Sequence, residues 1–186
     1  MDDGALARAA ADGDARAFAV LMGRHRDPVY RLVRAHVGDA DEARDVTQEA
    51  FLSAWRAIDR YDPARPMRSW LAGIAINKCR DWGRRRTVRR WLAQALPIDA
   101  LADGLASDVA GADVVAGDRA ELARVAAAIA RLPATLKEPL ILRTIEGLSQ
   151  AEAAVVLGIS AKAVETRLYR ARAKLAGMLD APSSRA

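Results

Sequence analysis

Apolar positions recur along this chain at intervals of three and four residues, and no convincing stretch of strict apolar and polar alternation interrupts them. That period predicts helices throughout. The pattern is clearest from Leu148 to Leu175, LSQAEAAVVLGISAKAVETRLYRARAKL. Ser149 followed three residues later by Glu152 is a capping-box signature, so a helix is expected to start there. Ala151, Ala154, Val155 and Val156 carry it to Gly158, which suits the left-handed position past a helix end, and Ser160 suits the cap of the next helix. On that second helix Val164, Leu168, Ala171 and Leu175 form one apolar stripe at the helical period. Lys162, Glu165, Thr166, Tyr169 and Arg170 then face outward, flanked by Arg167, Arg172 and Lys174. An apolar back and a cationic, polar front are what a helix entering a DNA major groove needs. The two helices and the Gly-Ile-Ser turn therefore predict a helix-turn-helix, with an ordinary solvated basic helix as the plainer alternative.

Upstream, Asp14 is expected to cap a helix through Phe18, Val20, Leu21 and Met22, and Asp27-Pro28 offers either a kink or a fresh start. Val29, Leu32, Val33, His36 and Val37 continue the apolar face to Gly38. Asp41 is expected to open the next helix, with Phe51, Trp55 and Ile58 as its core stripe. Its other face carries Asp45, Gln48, Glu49, Leu52 and Arg56, an acidic surface with one leucine among the charges. Such a face suits docking on a basic protein, and a solvated face with one stray leucine is the alternative. After the two-proline turn Tyr61 to Pro66, a third helix is predicted from about Met67 toward Arg86.

Between about Thr87 and Gly117 the periodicity dissolves into a stretch marked by Pro97, Asp99, Asp103, Gly104, Asp108, Gly111 and Asp113, a linker by composition. The expected fold class is therefore all-α: two small helical domains, 1–90 and 118–180, joined by a flexible linker, 91–117, with a short tail, 181–186. In the second domain Asp118 and Glu121 form another capping box, Pro133 ends that helix, and Thr135 is expected to cap the next, leaving Pro139 in its first turn.

Charge changes this picture because it is segregated. The whole chain carries +5, which by itself favours polyanionic partners. Lys78 to Arg90 holds seven basic residues and one acid, whereas Asp39 to Glu49 holds five acids and one arginine. Different stretches should meet different partners. The basic tract follows Trp70, Asn77, Lys78 and Arg80, contains Trp82, and includes Arg84, Arg85 and Arg86. Aromatics beside cations and a loop suit single-stranded or opened nucleic acid, where unpaired bases stack or enter a pocket. Core packing is the plainer role for each tryptophan. One cysteine, Cys79, leaves no intrachain disulfide and fits a reducing compartment. The acidic start MDDGALARAAADGD lacks a signal-peptide pattern, and no apolar run approaches membrane-spanning length, so a cytoplasmic protein without membrane insertion is expected.

Taken together, these segments resemble the extracytoplasmic-function sigma factors of the sigma-70 family, which direct bacterial RNA polymerase to promoters. The resemblance runs from about Asp14 to Leu179. DEARDVTQEAFLSAW is similar to the family's core-polymerase-binding helix, RPMRSWLAGIAINKCRDWGRRR to its promoter-melting helix, and the segment from Arg131 to Leu175 to its C-terminal DNA-binding domain. The resemblance implies that Asp45, Gln48, Glu49 and Phe51, with Leu52 beside them, dock on the coiled coil of the largest polymerase subunit, Phe51 supporting that face from inside. It implies that the loop from Tyr61 to Arg68, with Asp62, forms a pocket at the minus-ten element and that Asn77 helps to read a flipped-out base there. Trp70, Lys78, Arg80, Arg84 and Arg85 join that minus-ten set. At the minus-thirty-five element it implies Glu165, Thr166, Tyr169 and Arg170, flanked by Lys162 and Arg167. Position 165 is often basic in the family, and Glu165 is expected instead to accept a hydrogen bond from a cytosine amino group.

The partners implied are core RNA polymerase, promoter DNA and an anti-sigma factor, the last often membrane-tethered; the chain is expected to be a monomer when free and to need no cofactor. The linker would thread through the polymerase. An ordinary two-domain helix-turn-helix regulator, acting without core polymerase, is the alternative. An enzyme or metal protein is disfavoured because His25, His36 and Cys79 lack ligand spacing, the histidines lying roughly 16 Å apart on one continuous helix. There is also no phosphate-binding glycine loop and no triad-like set.

Overall fold

The computed structural model describes residues 1–95 and 116–180, and within them every regular element is helical. The acidic stretch expected to form the linker lies mostly outside the described residues, as does the tail. The first helix, α1 (Asp3–Ala11), had no counterpart in the sequence reading. Asp2 caps it by accepting from the Ala5 amide at 2.7 Å, and Leu6, Ala7 and Ala10 bury its inner side. Asp14 caps α2 (Ala15–Val37) as expected, accepting from the Arg16 and Ala17 amides. Pro28 neither ends nor restarts it: the helix runs through. Gly38 stops it at φ 88°, and a Cβ there would lie 2.8 Å from that of Ala130, so the site needs glycine for both its backbone and its close approach.

Helix α3 (Ala40–Arg56) begins before Asp41, because Asp39 takes the capping role and accepts from the Asp41 and Glu42 amides, each at 2.9 Å. A 3₁₀ turn, Ile58–Arg60, and the proline-bounded loop lead into α4, which runs from Met67 to Ala95, past the boundary expected near Arg90. Helices α1 to α4 pack as one bundle around Leu32, Val33, Val46, Ile76 and Cys79.

The second lobe comprises α5 (Ala116–Arg131), α6 (Ala134–Thr144), α7 (Gln150–Leu157) and α8 (Ala161–Asp180). Helix α5 starts two residues ahead of the expected cap at Asp118. Thr135 does not cap α6. Pro133, extended at ψ 141°, is the turning residue, and its carbonyl accepts from the Leu136 and Lys137 amides, both at 2.9 Å. This earlier start places buried Pro139 beyond the first turn. The helix-turn-helix forms where its local signals put it. Both halves of the Ser149–Glu152 capping box are made, Gly158 is left-handed at φ 67°, and Ser160 accepts from the Ala163 amide at 3.1 Å. Val164, Leu168 and Ala171 are buried and Leu175 partly so, while Val155 points outward at 64 % exposure. Ile141, Leu142 and Leu148 complete this core. The two lobes touch: α2 packs against α5 and α6, and α4 against α6 and α7.

Candidate nucleic-acid and protein interfaces

Three faces expected from the sequence can be followed from the helices that carry them. On α3, Asp45 and Gln48 are exposed, Glu49 is half-buried, and Leu52 stands out at 56 % exposure. Phe51 is buried beneath them at 6 %. Leu52 edges an apolar groove whose floor comes from two helices, with Phe18 and Met22 of α2 opposite Phe51 and Trp55 of α3. Phe18 meets Trp55 edge to face, ring centres 4.9 Å apart. The sequence pattern places this face on α3 alone; α2 contributes because the two helices pack as a hairpin. Part of the α3 acidity is spent within the chain. Glu49 accepts from Arg85 at 3.0 Å, and Glu42 accepts from the Trp82 indole and lies 3.9 Å from Arg89.

The loop before α4 is held from inside. Tyr61, nearly buried, donates its hydroxyl to the Arg65 carbonyl at 2.7 Å and packs its ring against Trp70 at 5.2 Å. Asp62 accepts from the Ala64 amide at 2.9 Å, fixing the turn. Burial and the nearby carboxylates of Asp3, Asp62 and Asp2 push the Tyr61 hydroxyl pKa up, so it stays a donor at neutral pH. Helix α1 reaches this loop, with Asp3 bound to Arg24 and His25 behind it. Arg68, Asn77, Arg84 and Arg85 are exposed, Trp70 and Lys78 half-buried. Trp82 is buried at 7 %, with the Arg86 guanidinium stacked 5.2 Å from its ring centre. Asn77 accepts from Arg80 at 3.4 Å.

On α8 the outward set is Lys162, Glu165, Thr166, Tyr169 and Arg170, with Tyr169 at 76 % exposure. Lys162 pairs with Glu165 at 2.9 Å, and the Thr166 hydroxyl donates to the Lys162 carbonyl. Arg167 departs from its neighbours. It is half-buried and lines a cleft toward α4 with Arg80, Arg84 and Glu138.

That cleft belongs to a polar junction the sequence reading missed. Glu138 is 2 % exposed and takes a bidentate hydrogen bond from Arg80, at 2.8 and 2.6 Å. Burial pushes the Glu138 carboxyl up, but Arg80 and then His36 outweigh it and hold the group below the usual range. His36 lies 3.7 Å away, too far for a hydrogen bond, and burial keeps its ring pKa low. Buried Lys137 donates to the carbonyls of His36, at 2.9 Å, and Ala130. Its pKa too is lowered by burial. Cys79, fully buried nearby, has its thiol pushed up to about 12 by desolvation. It is an inert core side chain at neutral pH. Glu146 is also buried, its carboxyl raised by desolvation and drawn back by Arg68 and Arg31. Glu138 and Glu146 follow no local signal, because only the docking of two lobes makes them interior.

Residues 21–93 match the family profile described as sigma-70 region 2, and residues 122–175 match the one described as sigma-70 region 4. The chain is 44 % identical over 185 residues to the RNA polymerase sigma factor CnrH of Cupriavidus metallidurans, covering 98 % of this chain and 97 % of that one. It is 35 % identical to the ECF RNA polymerase sigma factor SigM of Mycobacterium tuberculosis, covering 95 % and 84 %. The solved structure of CnrH in complex with the cytosolic domain of CnrY superposes with a TM-score of 0.70 at 39 % identity, covering 97 % of this chain and 99 % of that one.

Proposed function

The chain belongs to the sigma-70 family of RNA polymerase sigma factors, in its extracytoplasmic-function group, and on that premise we propose how its faces divide the work of promoter recognition. The α3 face of Asp45, Gln48, Glu49 and Leu52, supported by Phe51, binds core polymerase. The loop Tyr61 to Arg68 and the α4 residues Trp70, Asn77, Lys78, Arg80, Arg84 and Arg85 hold the opened minus-ten strand. The outward residues of α8 read duplex minus-thirty-five DNA, with Arg167 on phosphate once the cleft opens.

One observation carries this reading best: α8 lays a capped, apolar-backed helix on its partner and presents exposed Lys162, Glu165, Thr166, Tyr169 and Arg170 together. The role is non-enzymatic. Strand opening is offset by holding bases outside the stack, and no bond of the DNA is changed. Each lobe offers a small surface, so specific binding needs core polymerase to fix their spacing. CnrH has been solved in complex with the cytosolic domain of CnrY, and here a partner implied by the family resemblance, an anti-sigma factor tethered to a membrane, holds this monomeric, cytoplasmic chain until it is needed. Among the described residues no helix is long and apolar enough to cross a membrane. Co-purification with core polymerase followed by run-off transcription tests the proposal. Promoter-specific transcripts that require both components support it; tight specific binding by the chain alone, with no effect on initiation, refutes it.

A further inference from the structure

Helix α1 and the loop before α4 enclose a cleft that neither forms alone. Its volume is about 560 Å³, within the roughly 300–1,000 Å³ of ligand-sized sites. One wall is the first turn of α1, with Asp2, Asp3 and Gly4; the other is the loop, with buried Tyr61, Pro63 and Arg65 among its lining. Gly4 keeps the space between them open. A Cβ at that position would already touch Pro63 at 3.5 Å, so any longer side chain there would grow into the cleft.

The charged groups of the cleft are not equally free. Both oxygens of Asp3 are engaged, Oδ1 accepting from Arg24 at 2.9 Å and Oδ2 lying 2.8 Å from His25 Nε2. Asp2 is engaged by half. Its Oδ1 caps α1 by accepting from the Ala5 amide at 2.7 Å, and among the described residues no donor reaches its Oδ2. The cations of the lining, Arg8, Arg65 and Arg68, are all exposed. Exposed guanidiniums with a spare carboxylate oxygen between α1 and the loop suit a ligand that is anionic on the outside and brings an N–H donor inward. A nucleotide turned out of its stack has that polarity, phosphate outward and base edge inward.

We propose that α1 sets which base this loop accepts: the free carboxylate oxygen of Asp2 takes a hydrogen bond from the exocyclic amino group of a base flipped into the cleft, so that cytosine, adenine or guanine enters in preference to thymine. This rests on the reading that Tyr61 to Arg68 hold the opened minus-ten strand, and adds to it a second wall supplied by the N-terminal helix. Thymine has no amino group, and its one ring N–H lies between two carbonyl oxygens that a carboxylate repels. Arg8, Arg65 and Arg68 take the phosphates on either side and offset the cost of bringing Asp2 near an anionic strand. Asp3 is a positioning residue: its bonds to Arg24 and His25 fix the first turn of α1 on α2, and with it the reach of Asp2.

The test uses the full chain with core polymerase and a promoter active in run-off transcription, supplied as a duplex whose nontemplate strand is left single-stranded and randomised across the minus-ten element. Sequencing the bound fraction reads base preference position by position. The wild-type chain should favour an amino-bearing base over thymine at one position by roughly fivefold. Asp2→Ser keeps a good cap, but its one oxygen is committed to the Ala5 amide, so that single preference should vanish while the others stay. Gly4→Leu fills the cleft and should abolish the same preference. A preference that survives both substitutions would overturn the proposal. Equal erosion at every position would overturn it too, because α1 would then only support the loop. If the wild-type chain selects no base anywhere in the randomised strand, the minus-ten reading falls with it, so the two failures are told apart.

Discussion

Replacing Leu52 by alanine separates a binding side chain from a folding one. Leu52 is 56 % exposed and sits at the edge of the groove between α2 and α3, so the folded chain takes less than half of what the side chain can give. Full burial of a leucine is worth about 1.5–3 kcal/mol, which leaves about 0.8–1.7 kcal/mol for a partner to gain by covering the rest. That corresponds to roughly 4- to 17-fold in Kd, and the lower half is the better expectation, because association also costs side-chain ordering. Stability should barely move, within about 0.5 kcal/mol, as for other exposed positions. The assay is competition: unlabelled wild-type chain or Leu52→Ala displaces a fluorescent wild-type chain from core polymerase, with thermal melts run in parallel. Phe51→Ala is the contrast, since a residue 6 % exposed should cost about 3–5 kcal/mol of stability. If Leu52→Ala competes as well as wild type, or if its weaker competition follows a matching loss of melting temperature, the α3 face is not the polymerase contact.

Four further outcomes are expected. Glu165→Ala should weaken binding of minus-thirty-five probes that carry cytosine at one position and leave probes with another base there little changed; an equal change for every base at every position excludes direct readout by the carboxylate. Ser149→Ala removes one bond of the capping box and should destabilise the second lobe by about 1 kcal/mol in chemical denaturation; no measurable loss would show the cap to be dispensable. Burial lowers the His36 pKa, so as pH falls through its ordinary value of 6.5 the unfolded chain takes up a proton that the folded chain refuses, and stability drops. Melts from neutral pH down across that value should show a decline that His36→Gln flattens, and parallel slopes would argue against the burial. Finally, Cys79, buried with its thiol pushed up to about 12, should resist iodoacetamide at mildly alkaline pH until denaturant is added; immediate labelling of the folded chain would contradict its place in the core.

The helix-turn-helix is the part most legible in the residues themselves. Ser149, Glu152, Gly158 and Ser160 act on backbone groups within a few positions of themselves, so their consequences follow from spacing. The all-helical class and the buried stripe Val164, Leu168 and Ala171 follow from period for the same reason. Helix starts were less legible wherever two candidates lay near each other: Asp39 displaced Asp41, and Pro133 displaced Thr135. Helix α1 carries little periodic signal because its apolar face is mostly alanine and becomes a face only against α2.

Local signals thus determined which segments are helical, where the recognition helix begins and which way its outer residues point, because each depends on interactions a few residues long. Contact between distant segments decided that Phe18 and Met22 share a groove with Leu52, that Arg167 turns inward, and that Glu138 grips Arg80 across 58 positions of chain. A charge on a helix reads as solvated until another element covers it, and whether one does depends on the mutual docking of two cores, which no local spacing encodes.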